Sequence, residues 1–566
     1  MAAIGDNEAV WPIFGSLASF RLSGLPSDLV AGLTLAAIAI PEQMATARLG
    51  GFAPQIGFLA FIAGSLGFAM LGANRFLSCG ADSTITPIFA GGLALMAASG
   101  KPEYQALAVV LALEVGVLLV AGSLFRLGWI ANLLSTPVMV GFLAGIAAHI
   151  IVSQLPGILG LESPEGPTLY KIAVLARQLD EVNLYTLAIG LCVLAMVAGC
   201  EMVSPRIPGA LIGLVITTLA VILGELERRG VHVVGAVPGG LPAPSIPDIS
   251  PERWIKVLPL GLLIALVVMV QTAATTRSFP STADRPPDVD RDFLGAGAGS
   301  ILSGLFGAFP INASPPRTGI VVQTGGRTQA SALVAAAIII ALLAFGAALL
   351  RHVPNAALAG VLIFVALRII RTQQMLAVYR ESPGEFLLIA ATAAAIIIVM
   401  PIEQGVAIGV ALSLLHGIWS STRARLVEFE HVPGTTIWWP ANPHSPGERL
   451  PGVTVVGLQA PLSFLNSAHF RGDMLGVIRG AKPKLLVLEA GGIIEIDFTA
   501  AQTLLELIKT CRAEGVTIAI ARLESVRARE AFERFKLYDV LPRDQVFLSV
   551  DAAVSQASGE EANPGG

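Results

Sequence analysis

Runs of nearly twenty residues without a charged side chain recur through this sequence up to about Ser420 and then stop. Val182–Cys200, Ile207–Gly224, Val257–Thr276, Ala332–Leu350 and Phe386–Ile402 are the cleanest. About 20 apolar residues in a helix cross the hydrocarbon core of a bilayer. The runs are continuous rather than alternating, which excludes a β-barrel. Over the whole chain 54% of residues are hydrophobic and only 13% charged, about half the charged share of soluble domains. A soluble enzyme, a nucleic-acid binder and a disordered protein are thereby excluded. The net charge of -4 leaves no basic footprint for a polyanion. The chain reads as an α-helical polytopic membrane protein.

Weaker or broken runs cover Leu29–Ala47, Gln55–Gly72, Tyr104–Phe125, Leu127–Leu155, Phe293–Phe309, Ala356–Leu367 and Val406–Trp419. Two further elements, Ser83–Ala98 and residues 315–324, are too short to span alone. That gives about fourteen segments in a transport domain of residues 1–422. Leu161–Asn183 mixes charges with Leu, Ile and Val and reads as an interfacial helix. The Gly/Pro-rich stretch Glu225–Pro251 marks a midpoint with about seven elements on either side. The start, Met1 to Val10, shows no signal peptide: it has Asp6 and Glu8 and no basic n-region. With the N-terminus inside, a modest excess of arginines, among them Arg75, Arg126, Arg285 and Arg371, falls on the cytoplasmic side.

The third element of each half is short and follows irregular chain: Leu77-Ser78-Cys79-Gly80-Ala81-Asp82-Ser83 in one, Pro310-Ile311-Asn312-Ala313-Ser314-Pro315-Pro316-Arg317 in the other. Transporters built from inverted repeats place their sites where such interrupted helices meet. Pro315 and Pro316 suit a first helical turn, where their missing N–H groups cost nothing. Two helix N-termini converging on one point present positive dipole ends, which favour an anion.

Ionisable residues are costly in lipid and default to function. Glu42 lies in the first apolar run beside Pro41, which is expected to kink that helix. Arg317 follows the second interruption and either adds positive charge to an anion site or pairs with a carboxylate such as Glu42. Gln271, Thr272, Thr275 and Thr276 cluster near the end of the eighth element, where they line the cavity or link helices. Glu114 reads as an end-of-helix carboxylate and His149 as a packing histidine. Gly295-Ala296-Gly297-Ala298-Gly299 reads as close helix packing, since no acidic partner follows it. Cys79, Cys192, Cys200 and Cys511 lack metal-ligand spacing and read as packing residues. Motifs for metal hydrolysis, serine esterases and nucleotide-driven pumps do not occur, so neither catalysis nor a cofactor is expected.

From about Ile437 short apolar runs alternate with amphipathic ones. Val453–Leu458, Leu485–Glu489 and Thr517–Ala521 read as strands, and Ala500–Arg512 and Ser525–Phe535 as helices. This predicts a small α/β domain over residues 437–557.

Several of these motifs together resemble the sulfate permease (SulP) family of bacterial anion transporters. Ile40-Pro41-Glu42-Gln43-Met44-Ala45 resembles the family's first-helix motif. Gly80-Ala81-Asp82-Ser83 resembles its third-helix start, with Ala81 in place of the usual proline. Asp292-Phe293-Leu294-Gly295-Ala296-Gly297 and Phe306-Gly307-Ala308-Phe309-Pro310 resemble the ninth helix, and Pro316-Arg317-Thr318 the start of the tenth. Ile496-Asp497-Phe498-Thr499-Ala500-Ala501 resembles the signature of a STAS domain.

The resemblance implies seven plus seven inverted-repeat segments divided into core and gate, a cytosolic C-terminal STAS domain, and a homodimer working by elevator-type alternating access. It also implies a multi-pass protein of the bacterial inner membrane with both termini cytoplasmic. A small anion would be held by Gln43, Asp82, Ser83, Thr84, Ser314, Pro315 and Arg317, with Gln271 and Thr275 lining the cavity. Glu42 matches the glutamate of proton-coupled relatives and is the expected coupling group. Gln271 stands where sodium-driven bicarbonate transporters carry an aspartate, and a neutral amide argues against sodium. The partners expected are an anion, a proton, the bilayer and a second copy, with no nucleic acid. An uncoupled channel or exchanger, a sodium-coupled bicarbonate transporter and a nucleobase permease are the alternatives. Thr499 matches a phosphorylatable position, but Phe498 and Ala500 depart from that pattern, and scaffold packing is the preferred reading of this domain.

Overall fold

The computed structural model describes residues 24–558 together with 13, 14 and 17, apart from 133–134, 163, 165–167, 205, 236–243, 245–249, 281–286, 347–349, 399–401, 423–425 and 443–446. The Met1–Val10 reading, Arg285 and about half of the Glu225–Pro251 stretch lie outside the described residues. The chain divides into two compact units, Met1–Ser413 and Leu414–Gly566.

In the first unit the helices are α1 (Leu25–Leu49), α2 (Pro54–Leu71), α3 (Thr86–Ala94), α4 (Pro102–Leu124), α5 (Thr136–Leu159), α6 (Thr168–Arg177), α7 (Leu184–Val203), α8 (Gly209–Leu223), α9 (Pro251–Ser278), α10 (Val289–Leu305), α11 (Pro315–Gln323), α12 (Ala330–Phe345), α13 (Asn355–Ile369), α14 (Thr372–Glu381), α15 (Pro383–Ile398) and, across the division, α16 (Ile402–Thr422). Among the described residues seven helical stretches are long and apolar enough to cross a membrane, and four shorter apolar helices accompany them. Proline occupies the first turn of α1, α2, α3, α4, α5, α9 and α11, where it removes a donor that has no intrahelical acceptor anyway.

The two halves follow one order. The nine-residue helices α3 and α11 are the third and tenth membrane elements. The amphipathic helices α6 and α14 fall between the fifth and sixth and between the twelfth and thirteenth. Helices α1, α2, α4, α9, α10 and α12 pack as one group, and α5, α7, α8, α13 and α15 as another; α1 also touches α8 and α13 across the division. The first group is the core and the second the gate of the expected fold.

Backbone contact at the centre of the core depends on glycine. A Cβ on Gly295 would stand 2.7 Å from Gly72 Cα, and one on Gly297 2.9 Å from the Gly116 carbonyl. The Gly-Ala-Gly run is therefore a packing surface that seats α10 against α2 and α4. Glu114 corrects an expectation: it sits in the middle of α4, not at a helix end, and packs against Gly261 of α9. His149 is buried, with Nδ1 3.3 Å from the Thr168 hydroxyl.

The second unit holds a six-stranded sheet. Its strands are β3 (Leu426–His431), β4 (Trp438–Pro440), β5 (Val453–Leu458), β6 (Leu485–Glu489), β7 (Thr517–Ala521) and β8 (Val546–Phe547), in the order β4-β3-β5-β6-β7-β8. The sheet begins before residue 437, because β3 pairs antiparallel with β5; β5 to β8 run parallel. Alternate side chains go to opposite faces. Val456, Leu458, Leu486, Leu488, Ile518 and Ile520 meet helices α17 (Ser467–Ala481), α18 (Phe498–Ala513) and α19 (Val526–Arg534) on one face, while Val455, Leu485, Val487 and Ala519 meet α20 (Val550–Ser558) on the other. Asp497 caps α18 by accepting from the Ala500 N–H at 2.8 Å and ties in the Phe464 N–H at 2.6 Å. Thr499 is exposed.

Candidate functional site

The two interruptions meet. Cys79–Gly80 (β1) and Asn312–Ala313 (β2) form a two-residue antiparallel ladder with Cys79 opposite Ala313 and Gly80 opposite Asn312. The Ser314 N–H extends it by donating to the Ser78 carbonyl at 2.9 Å. This crossing supplies the backbone partners that unwound chain needs inside a membrane. It also brings the starts of α3 and α11 together, so that both face one cavity.

That cavity, of about 180 Å³, is walled on the core side by Ile38 and Glu42 of α1, Asp82, Ser83 and Thr84 before α3, Gln271 of α9, and Ser314, Pro315, Pro316 and Ile320 at α11. By the same measure one water needs about 10–15 Å³. The gate wall near these residues is apolar, with Leu143, Val197, Val361, Phe364 and Val365; Glu201, Arg368 and Arg371 lie toward the C-terminal ends of α7 and α13. Glu201 and Arg368 pair at 3.1 Å. At the other end of the division Arg48, at the end of α1, hydrogen-bonds Asn355 at the start of α13.

Helix α1 continues through Pro41 and turns Glu42 inward. Arg317 Nη1 donates to Glu42 Oε1 at 2.9 Å and to the Ala81 carbonyl at 3.0 Å. The arginine is fully buried and is not part of the cavity wall. Its Nε and Nη2 have no hydrogen-bond partner among the described residues, and its guanidinium carbon lies 5.9 Å from the centre of the Phe61 ring. A buried guanidinium keeps its charge, so Arg317 is a fixed cation whose field Glu42 cancels when ionised.

Gln43 faces the other way. Its amide accepts from the Ala81 N–H at 2.8 Å and donates to the Ala81 carbonyl at 3.0 Å, so it positions the α3 start from behind the wall. Asp82 Oδ1 accepts from the Thr84 N–H at 2.9 Å, from the Thr84 hydroxyl, and from Asn312 Nδ2 at 3.4 Å. The Thr84 hydroxyl also lies 2.9 Å from Gln271 Oε1, to which Asn312 donates as well. Thr275 is absent from the wall: its hydroxyl donates to the Gln271 carbonyl one turn back. Backbone donors are also fewer than the dipole argument assumed. Thr84's N–H is taken by Asp82, and Pro315 and Pro316 carry none.

Sequence reasoning did not single out Asn312 or Asp292. Asp292 is fully buried at the start of α10 and accepts from the N–H groups of Ala73 and Asn74 at 2.9 and 2.8 Å and from the Thr276 hydroxyl at 2.7 Å. It anchors the chain entering β1; a buried acid in a helix first turn, sixteen residues from a threonine, was the available signal. Asp28 does the same for α12, accepting from Arg327 and Thr328 N–H groups at 2.6 and 3.1 Å.

The family model for the sulfate permease family matches residues 25–392, and that for the STAS domain matches residues 447–553. The chain is 32% identical over 532 residues to "Probable sulfate transporter MT1781" of Mycobacterium tuberculosis, covering 94% of this chain and 95% of the relative. The solved structure of the murine solute carrier 26 family member A9 anion transporter in the inward-facing state superposes with a TM-score of 0.88 at 20% identity, covering 99% of this chain and 96% of that one. The transmembrane domain of a cyanobacterium bicarbonate transporter, BicA, superposes with a TM-score of 0.60 at 22% identity, covering 70% of this chain and 97% of that one. These two likenesses concern the fold. Sequence, fold and crossed half-helices agree: the chain belongs to the sulfate permease family of anion transporters, with a STAS domain at its C-terminal end.

Proposed function

We propose that this protein is a secondary active transporter that carries a small inorganic or carboxylate anion together with a proton. The supporting observation is the Glu42–Arg317 pair, 2.9 Å apart beside a cavity faced by two helix starts. With Glu42 ionised, the Arg317 charge is cancelled and an incoming anion meets a carboxylate. With Glu42 protonated, the Arg317 charge is no longer cancelled by it. Proton and anion then raise each other's affinity by the same factor, and the loaded site crosses the low-dielectric region without Glu42 as a bare carboxylate.

The movement is an elevator-type displacement of the core helices against the gate. The apolar gate wall near the site has few polar bonds to break, and the Arg48–Asn355 contact closes the far end in this conformation. With the termini in the cytoplasm of a bacterial inner membrane, the cavity opens inward. The transporter works as a homodimer. Gln271 is neutral and its carbonyl oxygen accepts from Asn312, which favours protons over sodium. Sulfate and hydrogencarbonate, the anions named for relatives, head the substrate panel.

Uptake of labelled anions into proteoliposomes under an imposed acid-outside gradient, with and without sodium, tests this. Uphill accumulation that needs the pH gradient and ignores sodium is expected. Anion currents without uphill accumulation would make the protein a channel instead.

A further inference from the structure

The described site holds one more carboxylate than the coupling scheme uses. Arg317 is one cation against Glu42 and Asp82; Glu201 and Arg368 cancel each other at 3.1 Å, and Arg371 stands beyond them toward the mouth. With Glu42 protonated, Asp82 is the carboxylate that remains on the core wall of the cavity. Asp82 is buried and lines the cavity, and among the described residues every hydrogen bond it accepts goes to Oδ1, which leaves Oδ2 unengaged. The groups packed round it are Glu42 from α1, Thr84 on its own turn, Gln271 from α9, Asn312 from β2 and Arg317 from α11, and none of them offers Oδ2 a proton-bearing contact. An anion oxygen lodged there without a proton meets an acceptor, and two buried acceptors facing each other carry a full desolvation penalty.

We infer that Asp82 is a specificity residue: the bound complex holds one proton between Asp82 Oδ2 and an oxygen of the anion. The preferred substrate class is an oxyanion that still carries a hydroxyl proton, such as hydrogencarbonate or a singly protonated dicarboxylate. A fully ionised oxyanion such as sulfate fits only when Asp82 takes up a proton itself. Sites built to accept a hydrogen bond from a substrate hydroxyl reject analogues that lack it. The inference rests on the anion-transport reading above.

The test compares sulfate with hydrogencarbonate in wild-type proteoliposomes across pH 6 to 8, each concentration expressed as the named ion. Sulfate must collect at Asp82 a proton that hydrogencarbonate brings with it. Its apparent KM should therefore rise about tenfold more per pH unit than that of hydrogencarbonate. Asp82→Asn keeps an oxygen to cap Thr84 and places permanent N–H donors where the proton was. It should abolish the difference in slope and raise sulfate uptake relative to hydrogencarbonate at least tenfold. Equal slopes in the wild type, or a slope difference that survives in Asp82→Asn, overturns the inference while anion transport stands. If Asp82→Asn fails to reach the membrane, the wild-type slopes decide alone. Uptake by the wild type of other anions of the panel but of no hydroxyl-bearing oxyanion overturns the inference alone, and uptake of no anion of the panel overturns the transport reading with it.

Discussion

Replacing Arg317 by Met removes the only ion-pair partner of Glu42 among the described residues. The pair is among the driest possible: the arginine side chain is 0% exposed and the glutamate 12%. Taking one partner from a buried pair costs about 3–5 kcal/mol, because the other charge is left uncompensated. Glu42→Gln keeps an oxygen to accept from Nη1 but leaves the buried Arg317 charge uncompensated, so its loss is also about 3–5 kcal/mol. The double variant leaves neither a bare carboxylate nor a half-satisfied guanidinium. It should recover part of the Arg317→Met loss, with a coupling energy of at least about 1.5 kcal/mol. For a unit of this size 3–5 kcal/mol corresponds to a fall of about 3–6 °C in Tm. Thermal unfolding of the purified protein in detergent, run as a double-mutant cycle at pH 8, measures it. Additive losses, with coupling below about 0.5 kcal/mol, would show that the two charges do not stabilise each other and would refute the electrostatic argument for the site.

Three further outcomes follow from other parts of the molecule. Gln43→Leu strands the Ala81 N–H and weakens the hold on its carbonyl, at about 1–3 kcal/mol per buried group; KM for the anion should rise well before the protein unfolds, and an unchanged KM would separate Gln43 from the site. Gly67→Val places a Cβ 2.3 Å from the Gly299 backbone nitrogen, so overpacking of about 1–3 kcal/mol or more should lower both membrane yield and Tm. In the C-terminal unit, burial raises the Glu489 carboxyl above its ordinary value, against the Gly491 N–H at 3.1 Å and Arg522 at 3.2 Å. A folded-state value above the unfolded one means stability is lost as pH rises from the ordinary carboxylate range through the folded value. Urea unfolding of residues 426–558 at pH 5 and 8 should therefore show a larger fall for the wild type than for Glu489→Gln.

Several parts of this architecture are legible in the chain itself. Pro315-Pro316 locates one half-helix and the irregular Gly80–Ser83 stretch the other, because both are backbone properties of a few adjacent residues. The three central strands of the C-terminal sheet were legible for the same reason, being buried apolar runs of five or six residues. Glu42 and Arg317 stood out because charge in an apolar run is expensive. Their pairing, across 275 positions, is a product of tertiary packing that no local pattern encodes. The same holds for Gln43, whose motif placed it at the site while its amide in fact grips the Ala81 backbone, and for Thr275, whose hydroxyl turns back into its own helix. Asp292, present only as part of a ninth-helix motif, and Asp28 were given no role because an acid in a first helical turn has a sufficient local reason to be there. Strand β3 was missed because Leu426–His431 carries two glutamates and a histidine, and it is fixed as a strand only by its pairing with β5.

The most direct test of the account is uptake by Glu42→Gln protein in proteoliposomes under a fixed hydrogencarbonate gradient, with and without an imposed pH gradient. A carboxyl that carries the coupled proton, once replaced by an amide, should leave downhill exchange of the anion intact and abolish its response to the pH gradient. Uptake by the variant that keeps its full dependence on the pH gradient would contradict proton coupling through Glu42.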